Sequence, residues 1–179
     1  MISKYFEASI LGFIQGFSEF IPVSSSAHLI VVSEISEFEL GSLQLDISLH
    51  LGSLLAIIFY FRKDLINIAN NKSLALLIIF GSLPLIILGY FFYTTGLIDY
   101  LRNLKVIAWT TLLFGILLFF SDRVKTKKNI DTNLNLKNIL IIGFFQILAI
   151  IPGVSRSGII ITISRFLNFD RVDSSKISF

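Results

Sequence analysis

The sequence GFIQGFSEFIPVSSSAHLIV, from Gly12 to Val31, returns in altered form as GFFQILAIIPGVSRSGIIIT, from Gly143 to Thr162. The two stretches lie 131 positions apart, and nine of the 24 aligned positions from Ile10 onward are identical. The identical pairs are Ile10/Ile141, Gly12/Gly143, Phe13/Phe144, Gln15/Gln146, Val23/Val154, Ser24/Ser155, Ser26/Ser157, Ile30/Ile161 and Ser33/Ser164. An internal repeat decides the architecture in which every motif is read. This one predicts a duplicated unit.

The composition indicates a membrane protein. Hydrophobic residues make up 54% of the 179 residues and charged residues 15%, and the mean hydropathy is +0.81. Soluble domains carry about 25% charged residues. The chain has no cysteine, which excludes disulfides and thiolate metal sites. We expect the membrane to be its environment and expect no nucleic-acid partner.

Apolar runs predict three spans at about 47–61, 74–93 and 106–121, and a fourth run covers 139–151. Crossing the hydrocarbon core takes roughly 20 residues, so the first and third spans must extend into flanking polar sequence. Basic residues follow the first and third spans, whereas the segment 33–46 is acidic and has no base. The positive-inside rule makes the loop 122–138 cytoplasmic and the acidic segment external. Three crossings between the copies then invert the second relative to the first.

Each copy is interrupted by proline and serine, at Pro22 and at Pro152. Proline ends an incoming helix and serine caps an outgoing one. We therefore predict an all-α integral membrane protein, a polytopic helical bundle with an inverted repeat and two re-entrant helix-turn-helix hairpins, at 5–33 and 139–167. The single membrane domain 1–179 would comprise a first repeat unit, 1–121, and an incomplete second unit, 139–179. Where the hairpin tips meet, two helix N-termini would form an anion site.

Four residues are the leading catalytic candidates. Glu19 is a carboxylate inside apolar sequence, where charge is costly and marks function or a partner; Gln15 precedes it by one helical turn. Arg156 would bring positive charge to the same cavity, although a purely structural Glu19–Arg156 pair is the alternative. His28 is close enough in sequence to reach a hydroxyl at the turn, or else packs as a neutral imidazole. Ser25 is the first choice of nucleophile, with His28 or Glu19 as its base.

The remaining candidates fall into two groups. The first group would bind phosphate, although most of its serines are ordinary helix caps on the alternative interpretation; it comprises Ser24, Ser26, Gly153, Ser155 and Ser157. The second group is Asp46 and His50, one helical turn apart, which line the entrance or pair with each other. Gln15 also belongs to this second group, which ranks below the four leading candidates.

The strings QGFSEFIPVSSSAH, DISLHLGSLLA and PGVSRSG closely resemble signatures of the bacterial undecaprenyl-diphosphate phosphatases, the bacitracin-resistance type. The resemblance implies hydrolysis of undecaprenyl diphosphate to the monophosphate, which recycles the lipid carrier for cell-wall synthesis. It implies a multi-pass protein of the bacterial plasma (inner) membrane, with the site open to the outer face. The family's (E/Q)xxxE motif maps to Gln15 and Glu19, its serine and histidine to Ser25 and His28, and its arginine to Arg156. Because position 15 is not acidic, a base or metal role concentrates on Glu19.

The expected chemistry is phosphoryl transfer. Ser25 would attack the terminal phosphorus while Arg156 and helix amides hold the oxygens and Glu19 or His28 accepts the proton. His28 as the nucleophile is a variant of this scheme. A divalent cation, Mg²⁺ or Ca²⁺, held by Glu19 and the substrate is chemically reasonable. A homodimer is a further expectation.

Two alternatives to the enzyme follow from the same features. Inverted repeats with broken helices are typical of transporters, so a polyprenyl-phosphate flippase is the second hypothesis. An inactive fragment of the enzyme is the third, because the chain ends soon after its second hairpin and the resemblance implies a longer protein. On that basis the 179 residues are expected to be truncated at the C-terminus and to pack poorly alone.

Overall fold

The structure is a computed structural model that describes residues 2–178. Across this range the chain is helical, and β pairing is limited to one isolated bridge between Lys128 and Phe169. The helices are α1 (Ile2–Ser18), α2 (Ser25–Ile35), α3 (Leu43–Tyr60), α4 (Arg62–Asn70), α5 (Lys72–Thr94), α6 (Leu97–Leu101), α7 (Leu104–Asp122), α8 (Ile130–Asn133), α9 (Leu136–Gln146), α10 (Arg156–Phe166) and α11 (Arg171–Ser178), with a 3-10 turn at Ile147–Ile150.

Three of these helices, α3, α5 and α7, are long and apolar enough to cross a membrane. They have 18, 23 and 19 residues. Each of them begins before the apolar run that predicted it. The side chains of Ser42, Asn71 and Asn103 cap their N-termini by accepting a bond from a first-turn amide, and such polar caps satisfy amides that have no partner inside a helix. The predicted all-helical fold with three helices of spanning length is confirmed.

Each copy of the repeat forms two helices joined by a turn. In the first copy α1 ends at Ser18 and α2 begins at Ser25; in the second, α9 and the 3-10 turn precede α10. The helices of each pair pack against each other. Ser24 caps α2 and Ser155 caps α10, each through its side chain, so the repeated serine has the same structural role in both copies.

The second hairpin packs closely against a spanning helix. Helix α5 lies along α9, and a Cβ atom added to Gly143 would overlap the backbone of Gly81. Small residues allow such close approach between helices in membranes, where dispersion contacts rather than hydrophobic burial drive packing. Ile142 of α9 also forms a buried cluster with α10 and the turn before it; the other members are Val154, Ile159, Ile160 and Ile163.

Helix α7 connects the two hairpins. Its Ile107 is buried with Ala27 and Ile30 of α2, and the Thr110 hydroxyl donates to the carbonyl of Pro152 at 2.6 Å. Between the hairpins themselves, the Gly153 amide donates to Ser24 Oγ at 3.3 Å. These contacts hold the two turns side by side.

The predicted loop 122–138 is tied to the end of the second hairpin. Arg165, which is buried, donates to the carbonyls of Asp122, Val124 and Phe169 at 2.9, 3.0 and 3.1 Å. Three carbonyl acceptors around one guanidinium compensate much of the cost of burying it. The C-terminal end of α10 is thereby fixed to the C-terminal end of α7.

Candidate active site

An open cavity of about 520 Å³ lies where the two hairpin turns meet the face of α3. Its polar end combines residues from both copies of the repeat, and its other walls are apolar. The lining comprises Glu19, Val23, Ser24, Ser25, Ser26, Ile47, His50, Leu51, Leu54, Ile57, Leu85, Ala149, Val154, Ser155, Arg156 and Ser157. The cavity therefore offers a polar pocket continuous with an apolar wall.

Two helix N-termini open into the polar end. The first amides of a helix have no backbone acceptor within it. Here the capping serines accept from one amide of their own helix each, that of Ala27 in α2 and that of Gly158 in α10. The amides of the residues before these two remain unbonded within the helices; they belong to Ser25, Ser26, Arg156 and Ser157. Such amides, together with the positive dipole ends, form an anion-binding site.

The capping serines make the same local contact in both copies. Ser24 Oγ lies 3.1 Å from Ser26 Oγ, and Ser155 Oγ lies 3.1 Å from Ser157 Oγ. Ser24 also accepts from the Gly153 amide. These hydroxyls therefore order the turns, which agrees with the alternative interpretation of the serines as helix caps. All four residues also line the cavity.

Ser25 and Glu19 form the chemically distinctive contact. Ser25 Oγ donates to Glu19 Oε2 at 2.7 Å, and Gln15 Nε2 donates to the same oxygen at 2.9 Å. Gln15 is almost fully buried and also reaches Ser53 Oγ at 3.4 Å. A hydroxyl bonded to a carboxylate is the arrangement of a nucleophile with its base. The glutamine fixes the carboxylate that faces the serine.

Arg156 enters the cavity from the second copy as the first residue of α10. Its side chain is exposed and makes no hydrogen bond or ion pair with the part of the chain that the structure describes. The alternative of a structural Glu19–Arg156 pair is therefore not formed here, since Glu19 contacts Gln15, Ser25 and His50 instead. The guanidinium stays available to an anion.

The two histidines differ in their relation to the cavity. His28 is exposed, its Nδ1 bonds the Ser24 carbonyl at 2.7 Å, and its ring is absent from the lining. His50 lines the cavity, with Nε2 at 3.3 Å from Ser25 Oγ and 3.7 Å from Glu19 Oε2. The contact between Ser25 and His50 joins the first hairpin to α3, and no local spacing relates these two residues. The sequence therefore placed His50 only in the second group of candidates.

Two other candidates lie outside the cavity. The Asp46 carboxylate pairs with Arg102 at 2.7 Å rather than with His50, because only the Asp46 carbonyl faces the imidazole. Gly153 uses its amide for Ser24 and has φ +94. Its importance is steric: a Cβ atom there would overlap the Thr110 hydroxyl and approach the Ile107 carbonyl. Neither residue lines the site in this structure.

The apolar wall of the cavity has no distinct signal in the sequence. Ile47, Leu51 and Leu54 follow a helical period along α3, and Leu85 faces them from α5. Their spacing places them on one face, but any spanning helix has apolar residues at such positions. The period alone therefore carries no signal for a site.

A divalent cation would find few protein ligands. The described residues contain no group of three or more histidine, cysteine, aspartate or glutamate side chains suited to a metal. Glu19 is the one carboxylate in the lining, and Gln15 Oε1 beside it is buried without a hydrogen-bond partner. Magnesium typically binds one or two carboxylates together with substrate phosphates. The donor set fits an ion completed by substrate oxygens.

The chain matches a protein-family model and several known proteins along nearly all of its length. The model of the bacitracin resistance protein BacA family matches residues 8–179. A protein named undecaprenyl-diphosphatase from Pelagibacter ubique (strain HTCC1062) is 58% identical, over 100% of this chain and 70% of its own length. Another protein of that name, from Jannaschia sp. (strain CCS1), is 38% identical, over 97% of this chain and 70% of its own length. A third, from Saccharophagus degradans, is 40% identical over 96% of this chain and 69% of its own. The chain belongs to the BacA family of bacitracin resistance proteins.

Proposed function

We propose that the protein hydrolyses undecaprenyl diphosphate to undecaprenyl phosphate and inorganic phosphate, and so returns the lipid carrier to cell-wall synthesis. The name shared by its relatives supports this substrate. The observation that carries the proposal is the 2.7 Å bond from Ser25 to Glu19 beside two helix N-termini. A diphosphate bound to those amides would present its terminal phosphorus to the serine.

In the first step Ser25 Oγ bonds to the terminal phosphorus while the bond from that phosphorus to the bridging oxygen breaks. Glu19 accepts the serine proton and returns it to the leaving undecaprenyl phosphate. In the second step Glu19 takes a proton from water, which attacks the phosphoserine, and passes it to the departing Ser25 oxygen. Inorganic phosphate leaves and the enzyme is restored. A base aligned in this way typically contributes a factor of about 10² to 10⁴.

Arg156 and the free amides would bind the nonbridging oxygens of the transferred group. In phosphoryl transfer the negative charge lies on these oxygens, so catalysis depends mainly on positioning and charge stabilisation. The planar guanidinium can bind two oxygens at once. Its lack of a partner among the described residues is what this role requires, because a paired arginine would first have to break that pair.

Glu19 and Gln15 Oε1 would hold a Mg²⁺ or Ca²⁺ ion together with the diphosphate oxygens. Such an ion supplies neutralisation of the charge on the diphosphate. Chelation followed by readdition of each ion in a phosphate-release assay tests this cofactor: loss and recovery of activity support it, and full activity in excess chelator contradicts it.

We further propose that both hairpins are re-entrant and that the repeat is inverted. Helices α2 and α10 have 11 residues each, about 16 Å at 1.5 Å per residue, against a hydrocarbon core of about 30 Å. Turns at membrane depth are tolerated where they line a wet cavity. Loop charge supports a plasma-membrane orientation with the site open to the outer face. The expected homodimer stays a prediction.

The direct test is phosphate release from purified protein given a polyprenyl diphosphate in detergent and in vesicles. We expect release that depends on Ser25. Transfer of labelled lipid between leaflets without release would contradict hydrolysis and favour the flippase. Neither release nor transfer by folded protein would favour the inactive fragment.

A further inference from the structure

Building on the proposed function, we propose that His50 is a positioning residue for Ser25. The imidazole would hold the serine hydroxyl between two acceptors, so that a lone pair of Ser25 Oγ faces the cavity where the phosphorus binds. Failure of this inference leaves the phosphatase proposal intact, because Glu19 alone suffices as the proton acceptor.

The hydrogen bonds of His50 define its tautomer. Nδ1 lies 2.7 Å from the carbonyl oxygen of Asp46, and because a carbonyl oxygen can only accept, Nδ1 must carry the proton. In the neutral ring Nε2 then has a lone pair. That atom lies 3.3 Å from Ser25 Oγ, which makes it an acceptor for the serine hydroxyl.

Ser25 has a single hydroxyl proton and two acceptors. Glu19 Oε2 at 2.7 Å takes the stronger bond, and His50 Nε2 lies on the same side at longer distance. A proton placed between two acceptors restricts rotation about the C–O bond. The remaining lone pairs of the oxygen then point away from both groups, which is the orientation that nucleophilic attack needs.

The ring itself is held in place from the outer end of α3. Asp46, whose carbonyl bonds Nδ1, is buried and its carboxylate pairs with Arg102 at 2.7 Å. This pair fixes the first turn of α3 to the segment after α6. A hydrogen bond made by one ring nitrogen orients a functional imidazole and sets the tautomer that the other nitrogen presents.

His28 is the internal comparison. Its Nδ1 makes the same bond to the carbonyl four residues earlier, at 2.7 Å. Its Nε2 has no hydrogen-bond partner among the side chains that the structure describes, and the ring is outside the cavity lining. The two imidazoles share the Nδ1 contact and differ in exposure and in the Nε2 contact. The contact of Nε2 with Ser25 is what assigns the role to His50.

A matched pair of substitutions separates the two ring nitrogens. His50→Gln places an amide near the position of Nε2, and His50→Asn places one near Nδ1. Steady-state kinetics on a polyprenyl diphosphate, with unfolding followed by Trp109 fluorescence, would be measured for both and for His50→Leu. We expect kcat about tenfold lower in His50→Asn and His50→Leu, the effect of one lost hydrogen bond. The KM of all three variants should stay within about twofold of the wild-type value. The kcat of His50→Gln should stay within about threefold of the wild-type kcat.

Equal loss in the Gln and Asn variants, or wild-type kcat in the Asn variant, would overturn the role of Nε2. A raised KM at unchanged kcat would also overturn it, because that pattern indicates headgroup binding. If wild-type protein is active, Ser25→Ala is inactive and all His50 variants are normal, the His50 inference fails and the proposed function stands. If wild-type protein releases no phosphate, both fail.

Discussion

The two hairpin turns share a backbone arrangement and differ in their side chains. Each has a serine cap whose hydroxyl lies 3.1 Å from that of the serine two residues later, and each directs the free amides of an 11-residue helix into one cavity. The first turn adds Glu19 bonded to Ser25. The second has Ile150 at the position aligned with Glu19 and Arg156 at the position aligned with Ser25.

This difference indicates a division of labour. The capped helix ends are common to both copies, so we propose that anion binding belongs to the duplicated backbone. We propose that the proton chemistry belongs to the first turn and the positive charge to the second. Two identical turns would have placed like charges together in one cavity, which is unfavourable. Divergence instead gives the cavity one carboxylate, Glu19, and one guanidinium, Arg156.

Removing the proposed nucleophile of the first turn should have the largest effect. Ser25→Ala is expected to lower the rate of phosphate release by on the order of 10⁴-fold or more, because no second hydroxyl holds the same bond to Glu19. The control is Ser48→Ala, whose exposed hydroxyl bonds only the Gln44 carbonyl and should leave the rate unchanged. A Ser25→Ala protein with near wild-type release would disprove the nucleophile assignment.

Removing the charge of the second turn should rank next. Arg156→Ala is expected to reduce kcat/KM by about 10³-fold, and Arg156→Lys by less, since a point charge replaces the planar fork. Arg62→Ala, which removes an exposed guanidinium bonded to the Phe59 carbonyl, serves as the control. Equal activity of the Arg156 variants and wild type would show that the second turn contributes amides alone.

Neutralising the base without changing its shape should have a smaller effect. Glu19→Gln is expected to lower kcat by about 10²-fold, because an amide can still bond Ser25 but is a very poor proton acceptor. Glu34→Gln, at an exposed position on α2, is the control for loss of one negative charge. If Glu19→Gln raises KM and leaves kcat alone, Glu19 acts in substrate or metal binding instead.

The smallest effect is expected for the contact between the turns. Gly153→Ala should lower the free energy of unfolding by about 2 kcal/mol, because φ at this position is +94 and the added Cβ would meet Thr110. Gly89→Ala is the control, since nothing lies within 4 Å of its added Cβ. Thermal unfolding in detergent measures both. Equal stability of the two variants would mean that the turns do not depend on this contact.

The sequence predicted the spanning helices because their signals are local. Apolar runs located α3, α5 and α7, and the serine caps located the starts of α2 and α10. The bond between Ser25 and Glu19 also joins residues six positions apart, within reach of motif reasoning.

Contacts between distant elements have no local signal in the sequence. The approach of His50 to Ser25, the Asp46–Arg102 pair and the bond from Gly153 to Ser24 depend on how the hairpins pack against α3 and α7. His28 was predicted in the site because it is near Ser25 in sequence, but helical rotation places its ring outside the lining. Proximity along the chain does not determine which side of a helix a residue occupies.

The most direct test of the proposed division of labour is to identify the atom that carries phosphate during turnover. Protein would be mixed with a polyprenyl diphosphate labelled on the terminal phosphate, quenched within milliseconds and digested for mass spectrometry. We predict acid-stable label on Ser25, with less of it in Arg156→Ala. Label on His28 or on a serine of the second turn would contradict the account.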